Sequence, residues 1–355
     1  MNRSTDITAD AQPFGSHVLP LLAEPDTYVA CQWDLREMHD QRDYWLGLDR
    51  GEARADAEQR AAACRAAFEA LLDDYTSDPG CAGRLDIISI CIDRERILRA
   101  GRFDDPYRLA KARENATALA VLPALLAELD QLDEQARAVR LIEGVFAGNI
   151  FDLGATQTAE LFRKDSVDFH ATRARLAPRP WLIDDLDRWL DRWHNGRPHD
   201  CALLFVDNAG CDVVLGMIPL ARALLKRGSR VILTSNPMPS LNDITHAELV
   251  TLIRDIAAWD QPIADALAED RLLLVPSGNG LPLIDLRCIS PELVHAVETH
   301  APDLVVLEGM GRGVESNLHV PFRCDAIKVA MLKDEGVASA LGGALYDLVF
   351  RYEQA

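Results

Sequence analysis

The chain lacks the motifs that most often mark a zinc or nucleotide site. Its eight cysteines (Cys31, Cys64, Cys81, Cys91, Cys201, Cys211, Cys288 and Cys324) include no Cys-x-x-Cys pair, which argues against a zinc cage. No Gly-x-Gly-x-x-Gly follows the first strand of the C-terminal half and no Walker loop occurs, so neither a nicotinamide Rossmann site nor a P-loop is expected. Positive charge is scarce: 37 Lys and Arg stand against 56 Asp and Glu, a formal net charge of −19. Such a surface repels phosphate backbones and anionic lipid, which argues against nucleic-acid and membrane-surface partners. An anionic substrate would need a bound cation or a few inward-facing Lys and Arg. The longest apolar-dominated run, Ala116–Ala127, is broken by Thr117 and Pro123 and is too short to span a bilayer. No apolar core follows the polar start, so no signal peptide is expected. Together with the scattered cysteines, this predicts reduced thiols in a cytoplasmic protein.

Apolar residues make up 48% of the 355, enough for a sizeable core in one large domain or two smaller ones. Residues 1–18 read as a polar tail and 19–175 as a mainly helical domain. Helices are expected over Ala53–Leu72, Tyr107–Leu122 and Glu134–Phe146, while Leu85–Ile92 fits either a strand or a helix. Residues 176–200 read as a connecting segment: Pro178 and Pro180 flank Arg179, Trp181–Trp193 is amphipathic, and Asn195-Gly196-Arg197-Pro198 is a turn. From 201 to 355 strand and helix patterns alternate. Ala202–Val206, Arg230–Leu233, Leu272–Val275 and Leu304–Leu307 are strand runs, and Thr245-His246-Ala247-Glu248 has the form of a capping box. The alternation predicts an α/β fold, a parallel sheet with helices on its faces and ligands beyond the carboxyl ends of the strands.

Four polar clusters sit at those ends. The first is Asp207-Asn208, followed by Gly210 and Asp212. A carboxylate and an amide carbonyl are hard oxygen donors suited to Mg²⁺ or Mn²⁺. Gly210 would let the backbone approach a ligand. Asp212 is either part of the site or the N-cap of the next helix. The second, Asn236-Pro237-Met238-Pro239-Ser240-Leu241-Asn242-Asp243, is stiffened by two prolines. It offers Asp243 to the same oxygen shell, or is a solvated turn. The third, Ser277-Gly278-Asn279-Gly280, has the small residues and N–H groups that wrap a phosphate, but so does a plain turn. The fourth, Glu308-Gly309-Met310-Gly311-Arg312, supplies a guanidinium fork for phosphate oxygens. Lys328, with Lys333 as the runner-up, would add a point charge for phosphoryl transfer, unless these lysines are solvated surface residues. A haloacid-dehalogenase-type phosphatase needs a second Asp two residues after the first. That position is Ala209, so this class is set aside.

Taken together, Asp207–Asp212, Leu241-Asn242-Asp243-Ile244-Thr245 and Glu308–Arg312 resemble the metal-dependent damage-control phosphatases once called domain of unknown function 89. The Glu-Gly-Met-Gly-Arg stretch is similar to that of subfamily II. Arg113-Glu114-Asn115, Ala147-Gly148-Asn149 with Asp152, Arg179-Pro180-Trp181-Leu182 and the end of the chain extend the likeness over roughly residues 20–355. No kinase domain precedes this stretch, so a stand-alone phosphatase is expected.

The resemblance implies a three-layer αβα Rossmann-like domain with a helical N-terminal domain. It implies hydrolysis of phosphomonoesters, typically 4′-phosphopantetheine or its oxidised or damaged forms, with Mn, Co, Ni or Mg held by Asp207, Asn208 and Asp243. Asp207, Lys328, Asp212 and Arg312 are the expected catalytic groups. Asn149, Asp152, Ser277, Gly278 and Glu308 are expected around a small phosphorylated metabolite. Met238, where glycine is common, and the altered loop at 277–280 depart from the family pattern, both at positions expected to border the substrate. Rival readings are a non-catalytic sensor of coenzyme A precursors, a sugar-phosphate phosphatase and carboxyl methylation.

Overall fold

The computed structural model describes residues 16–29, 55–78, 86–150 and 169–355. Its centre is a seven-stranded sheet. The strands, in chain order, are β1 (Ile183–Asp184), β2 (Cys201–Phe205), β3 (Arg230–Ser235), β4 (Leu272–Pro276), β5 (Leu304–Glu308), β6 (Asp325–Met331) and β7 (Leu348–Glu353). Their spatial order is β1-β7-β6-β5-β2-β3-β4. All neighbours are parallel except β6 and β7. The central strands β2 and β5 are buried at every position, as strands covered on both faces must be.

Alternation along each strand divides the core in two. Ala202, Leu204, Val231, Leu233, Val306 and Ile327 face one helical layer. That layer contains α3 (Arg108–Gln131) and α4 (Glu134–Ile150). Leu203, Phe205, Ile232, Val305 and Leu307 face the other, which contains α1 (Ala55–Ser77) and α2 (Ile87–Ala100). The helical N-terminal half thus covers both faces of the sheet, giving the three layers.

Local chemistry explains where the elements differ from expectation. Of the ambiguous segment Leu85–Ile92, Leu85 lies outside the described residues and Ile87–Ile92 is helical, within α2, which Asp86 caps by accepting from the Ser89 N–H at 2.9 Å. Helix α3 runs through Pro123, which is exposed. An interior proline costs about 3 kcal/mol. The helix buries Leu122, Leu125, Leu126 and Leu129, each worth about 1.5–3 kcal/mol, so burial wins. Both halves of the Thr245–Glu248 capping box are formed. Among the described residues no helix is long and apolar enough to cross a membrane.

Candidate active site

Strand order places the site. From β2 the chain winds outward to β3 and β4, then returns to lay β5 on the other side of β2. Between the carboxyl ends of β2 and β5 the connections leave in opposite directions, which opens a crevice where α/β sheets bind ligands. Asp207 follows β2 and Glu308 ends β5, and the Asp207 N–H donates to Glu308 Oε2 at 3.1 Å.

Asp212 completes a group of three buried carboxylates whose oxygens lie within 4.8 Å of one another. It does not cap its helix with its side chain. The chain after Cys211 is π-wound over Asp212–Met217, and Asp212 turns inward. Its Oδ2 accepts from Asn208 Nδ2 at 2.9 Å, Asn149 Nδ2 at 3.2 Å and the Asn208 N–H at 3.3 Å. Its Oδ1 is buried without a hydrogen-bond partner. Burial holds the Asp212 carboxyl above its ordinary range, opposed by nearby Lys333 and by hydrogen bonding with Asn208, Glu308 and Asn149. A buried acceptor left unsatisfied costs about 1–3 kcal/mol. Hard oxygens with one orphan among them suit a small divalent cation.

The loop from Asn236 to Thr245 closes against this group through its backbone. Ala209 N–H donates to Asn242 O at 2.9 Å and Ile244 N–H to Asp207 O at 3.0 Å. Arg312 bridges the two arms. One guanidinium nitrogen pairs with Asp207 Oδ1, and the other reaches Asp243 Oδ2 at 2.6 Å and Asn236 Oδ1 at 3.0 Å. Gly309, at φ +96°, leaves the room that Asp207 occupies: a Cβ there would strike the Asp207 carboxylate.

Comparison with known proteins agrees with this architecture. Residues 38–349 match the model of the damage-control phosphatase ARMT1-like domain. The chain belongs to this family. It is 41% identical to the damage-control phosphatase At2g17340 of Arabidopsis thaliana, over 84% of this chain and 81% of that protein. It is 35% identical to the 4'-phosphopantetheine phosphatase of Mus musculus over 94% of this chain, but spans only 48% of that protein. A duf89 family protein from Pyrococcus horikoshii, 16% identical, shares the fold with a TM-score of 0.56, covering 86% of this chain and 92% of that one.

The sequence of this damage-control phosphatase family member suggested more site residues than the structure brings together. Asp207, Asn208, Asp212, Glu308 and Asn149 meet. Asn149 comes from α4, donating to Glu308 Oε1 at 2.8 Å while its own Oδ1 accepts from the Met331 N–H at 3.2 Å. Asp243 stands beside them, turned to Arg312 and to Asn236 Nδ2 at 2.8 Å. Gly210 does not open the backbone to a ligand. Its N–H donates to Asn115 Oδ1 at 2.7 Å, and a Cβ would meet Glu114 Cβ at 2.8 Å. The Ser277 hydroxyl turns back to its own loop, accepting from Asn279 N–H at 3.2 Å, and Gly278 packs against Ile289 and Ser290.

Lys328 is neither at the carboxylates nor solvated. It lies fully buried within β6, where Nζ donates to Val320 O at 2.7 Å, Leu318 O at 3.0 Å and Glu353 Oε2 at 2.5 Å. Burial pushes its ammonium down to about 8, with Glu353 opposing the shift. Lys333, two residues beyond the carboxyl end of β6, is the lysine whose charge reaches Asp212. Asp152 lies outside the described residues. Among the buried cations that sequence reasoning missed, two reach the loop from Asn236 to Thr245: Lys111 on α3, whose Nζ donates to Asp243 O, and Arg94 on α2, which donates to Ser240 Oγ.

Proposed function

We propose that this chain is a divalent-metal-dependent phosphomonoester phosphatase acting on 4′-phosphopantetheine or its oxidised or damaged forms. The observation that carries the reading is the group Asp207, Asp212 and Glu308 at the switch point of the sheet, with one Asp212 oxygen unsatisfied. The substrate is suggested by the similarity to the mouse phosphatase of that name. Asp207 and Asn208 would hold the ion together with Asp243, and Asp212 and Glu308 would complete or brace its oxygen shell. Mn²⁺, Co²⁺, Ni²⁺ and Mg²⁺ are the candidates, since each accepts such oxygen donors.

When bound, such an ion polarises a phosphoryl oxygen and lowers the pKa of a coordinated water. The chain's own groups would do the rest. Asn208 and Asn149 orient the carboxylates through their amides. Arg312 keeps Asp207 and Asp243 at a fixed spacing. Lys333 supplies positive charge beside the carboxylates for the incoming phosphate. The domain organisation we favour keeps 19–175 as the helical part and 201–355 as the αβα part, joined through 176–200, with the site drawing on both.

The test is phosphate release from p-nitrophenyl phosphate and 4′-phosphopantetheine by protein stripped with chelator and resupplied with each ion. Restoration by at least one ion is expected. Failure of all four on both substrates removes the phosphatase reading and leaves a binding protein for such metabolites.

A further inference from the structure

We propose that Lys111 is a positioning residue that sets Asp243 for the ion site; the inference rests on Asp243 serving that site. Lys111 is fully buried on α3. Its Nζ pairs with Asp105 Oδ2 at 3.0 Å and Glu248 Oε1 at 3.0 Å, and reaches Asp243 O at 3.4 Å. An ammonium has three donors, and these point to three separate segments. Asp105 precedes α3. Glu248 closes the capping box, its Oε2 accepting from Thr245 N–H and Oγ1 at 2.8 Å each. Asp243 O belongs to the expected ligand residue itself.

The placement along α3 gives Lys111 more than a packing role. Asn115 lies one turn further on, the i,i+4 neighbour on the same helix face. It accepts from the Gly210 N–H, in the arm that carries Asp207 and Asn208. One rigid helix therefore grips both arms of the candidate centre, Asn115 on the first and Lys111 on the second. The spacing of those arms is set by a helical turn. A second hold on the loop comes from α2, where Ser240 Oγ donates to Glu95 Oε1 at 2.9 Å and accepts from Arg94 at 3.2 Å.

Mn²⁺ binding measured by titration calorimetry, with thermal unfolding alongside, tests this on wild type, Lys111→Arg, Lys111→Met and Asp243→Ala. Loss of a group that orients a metal ligand weakens affinity about 10–100-fold. Lys111→Met is expected in that range, and Lys111→Arg, which keeps the charge, within about threefold of wild type. Should Lys111→Met fail to fold, Asp105→Asn/Lys111→Met removes the ion pair together and leaves Glu248 in its capping box. A Lys111 variant that melts earlier yet binds Mn²⁺ like wild type, while Asp243→Ala loses affinity, overturns the inference and leaves the ion site standing. Wild-type affinity in Asp243→Ala overturns the underlying ligand assignment instead.

Discussion

Two of the buried charged clusters on this sheet are built on opposite principles. Around Lys328, one cation meets two carbonyls and a carboxylate, with Phe322 beneath it, so every ammonium donor has a partner. Around Asp212, three carboxylates converge and one oxygen is left over. Burial of charge is common to both, and only the second leaves something for a ligand to satisfy. A self-sufficient ion pair reads as structure; an unsatisfied one at a switch point reads as a site.

The sharpest way to break that contrast is to remove Asp207. Asp207→Ala is expected to lower kcat/KM for p-nitrophenyl phosphate about 10³-fold, several kcal/mol of transition-state stabilisation. Steady-state assays with saturating metal check it, and full activity would sink the site. Next come the two lysines. Lys333→Met is expected to lose about 10²-fold in kcat, the cost of one charge-stabilising donor. Lys328→Met should stay within about threefold, measured on folded protein at a temperature below its melting point. A reversed order would return Lys328 to the chemistry.

A smaller effect separates the clusters by stability. Metal at 100 times its dissociation constant stabilises a folded protein by about 2.7 kcal/mol. Melting curves should show a shift on adding Mn²⁺ to wild type and to Lys328→Met. Asp212→Asn should show little or none, while without metal it melts about 2 °C higher, because it no longer buries an uncompensated carboxylate oxygen.

The smallest effect is in pH. Folding lowers the Lys328 ammonium from 10.5 to about 8, through burial. Between those values the unfolded chain holds a proton that the folded protein has released, so this residue's contribution to stability rises with pH, by about 1 kcal/mol per unit. The buried thiols of Cys201, Cys211 and Cys324, pushed up to about 12, act in the other direction above pH 9, but they are common to both proteins. Denaturant melts at pH 8 and 10 should therefore show Lys328→Met losing ground to wild type as pH rises. A constant gap would mean that the ammonium is not displaced.

The sequence was most legible where strands are uninterrupted apolar runs. Strands β2 to β5 show plainly, and Asp207 stands out because an acid ends such a run. Strands β6 and β7 do not show, because Lys328 and Arg351 break the pattern and their compensation by Glu353 is a tertiary fact. That also explains the choice between the lysines. Once β6 is known to end at Met331, the rule that ligands lie past the carboxyl ends favours Lys333. The grip of Lys111 had no local signal at all, since Ala-Lys-Ala in a helix reads as a solvated face.

Gly148 places α4 directly on the backbone of Cys211 and Asp212, where a Cβ would come within 2.9 Å of both, and so delivers Asn149 to Glu308. The centre is therefore shared property of the two halves of the chain. Recombination at the proline-rich joint near 178–180 would inherit acids without the amide that orders them. Selection can trade such halves only as a matched pair, and the Gly148–Asp212 contact is the seam along which a mismatch would first be felt.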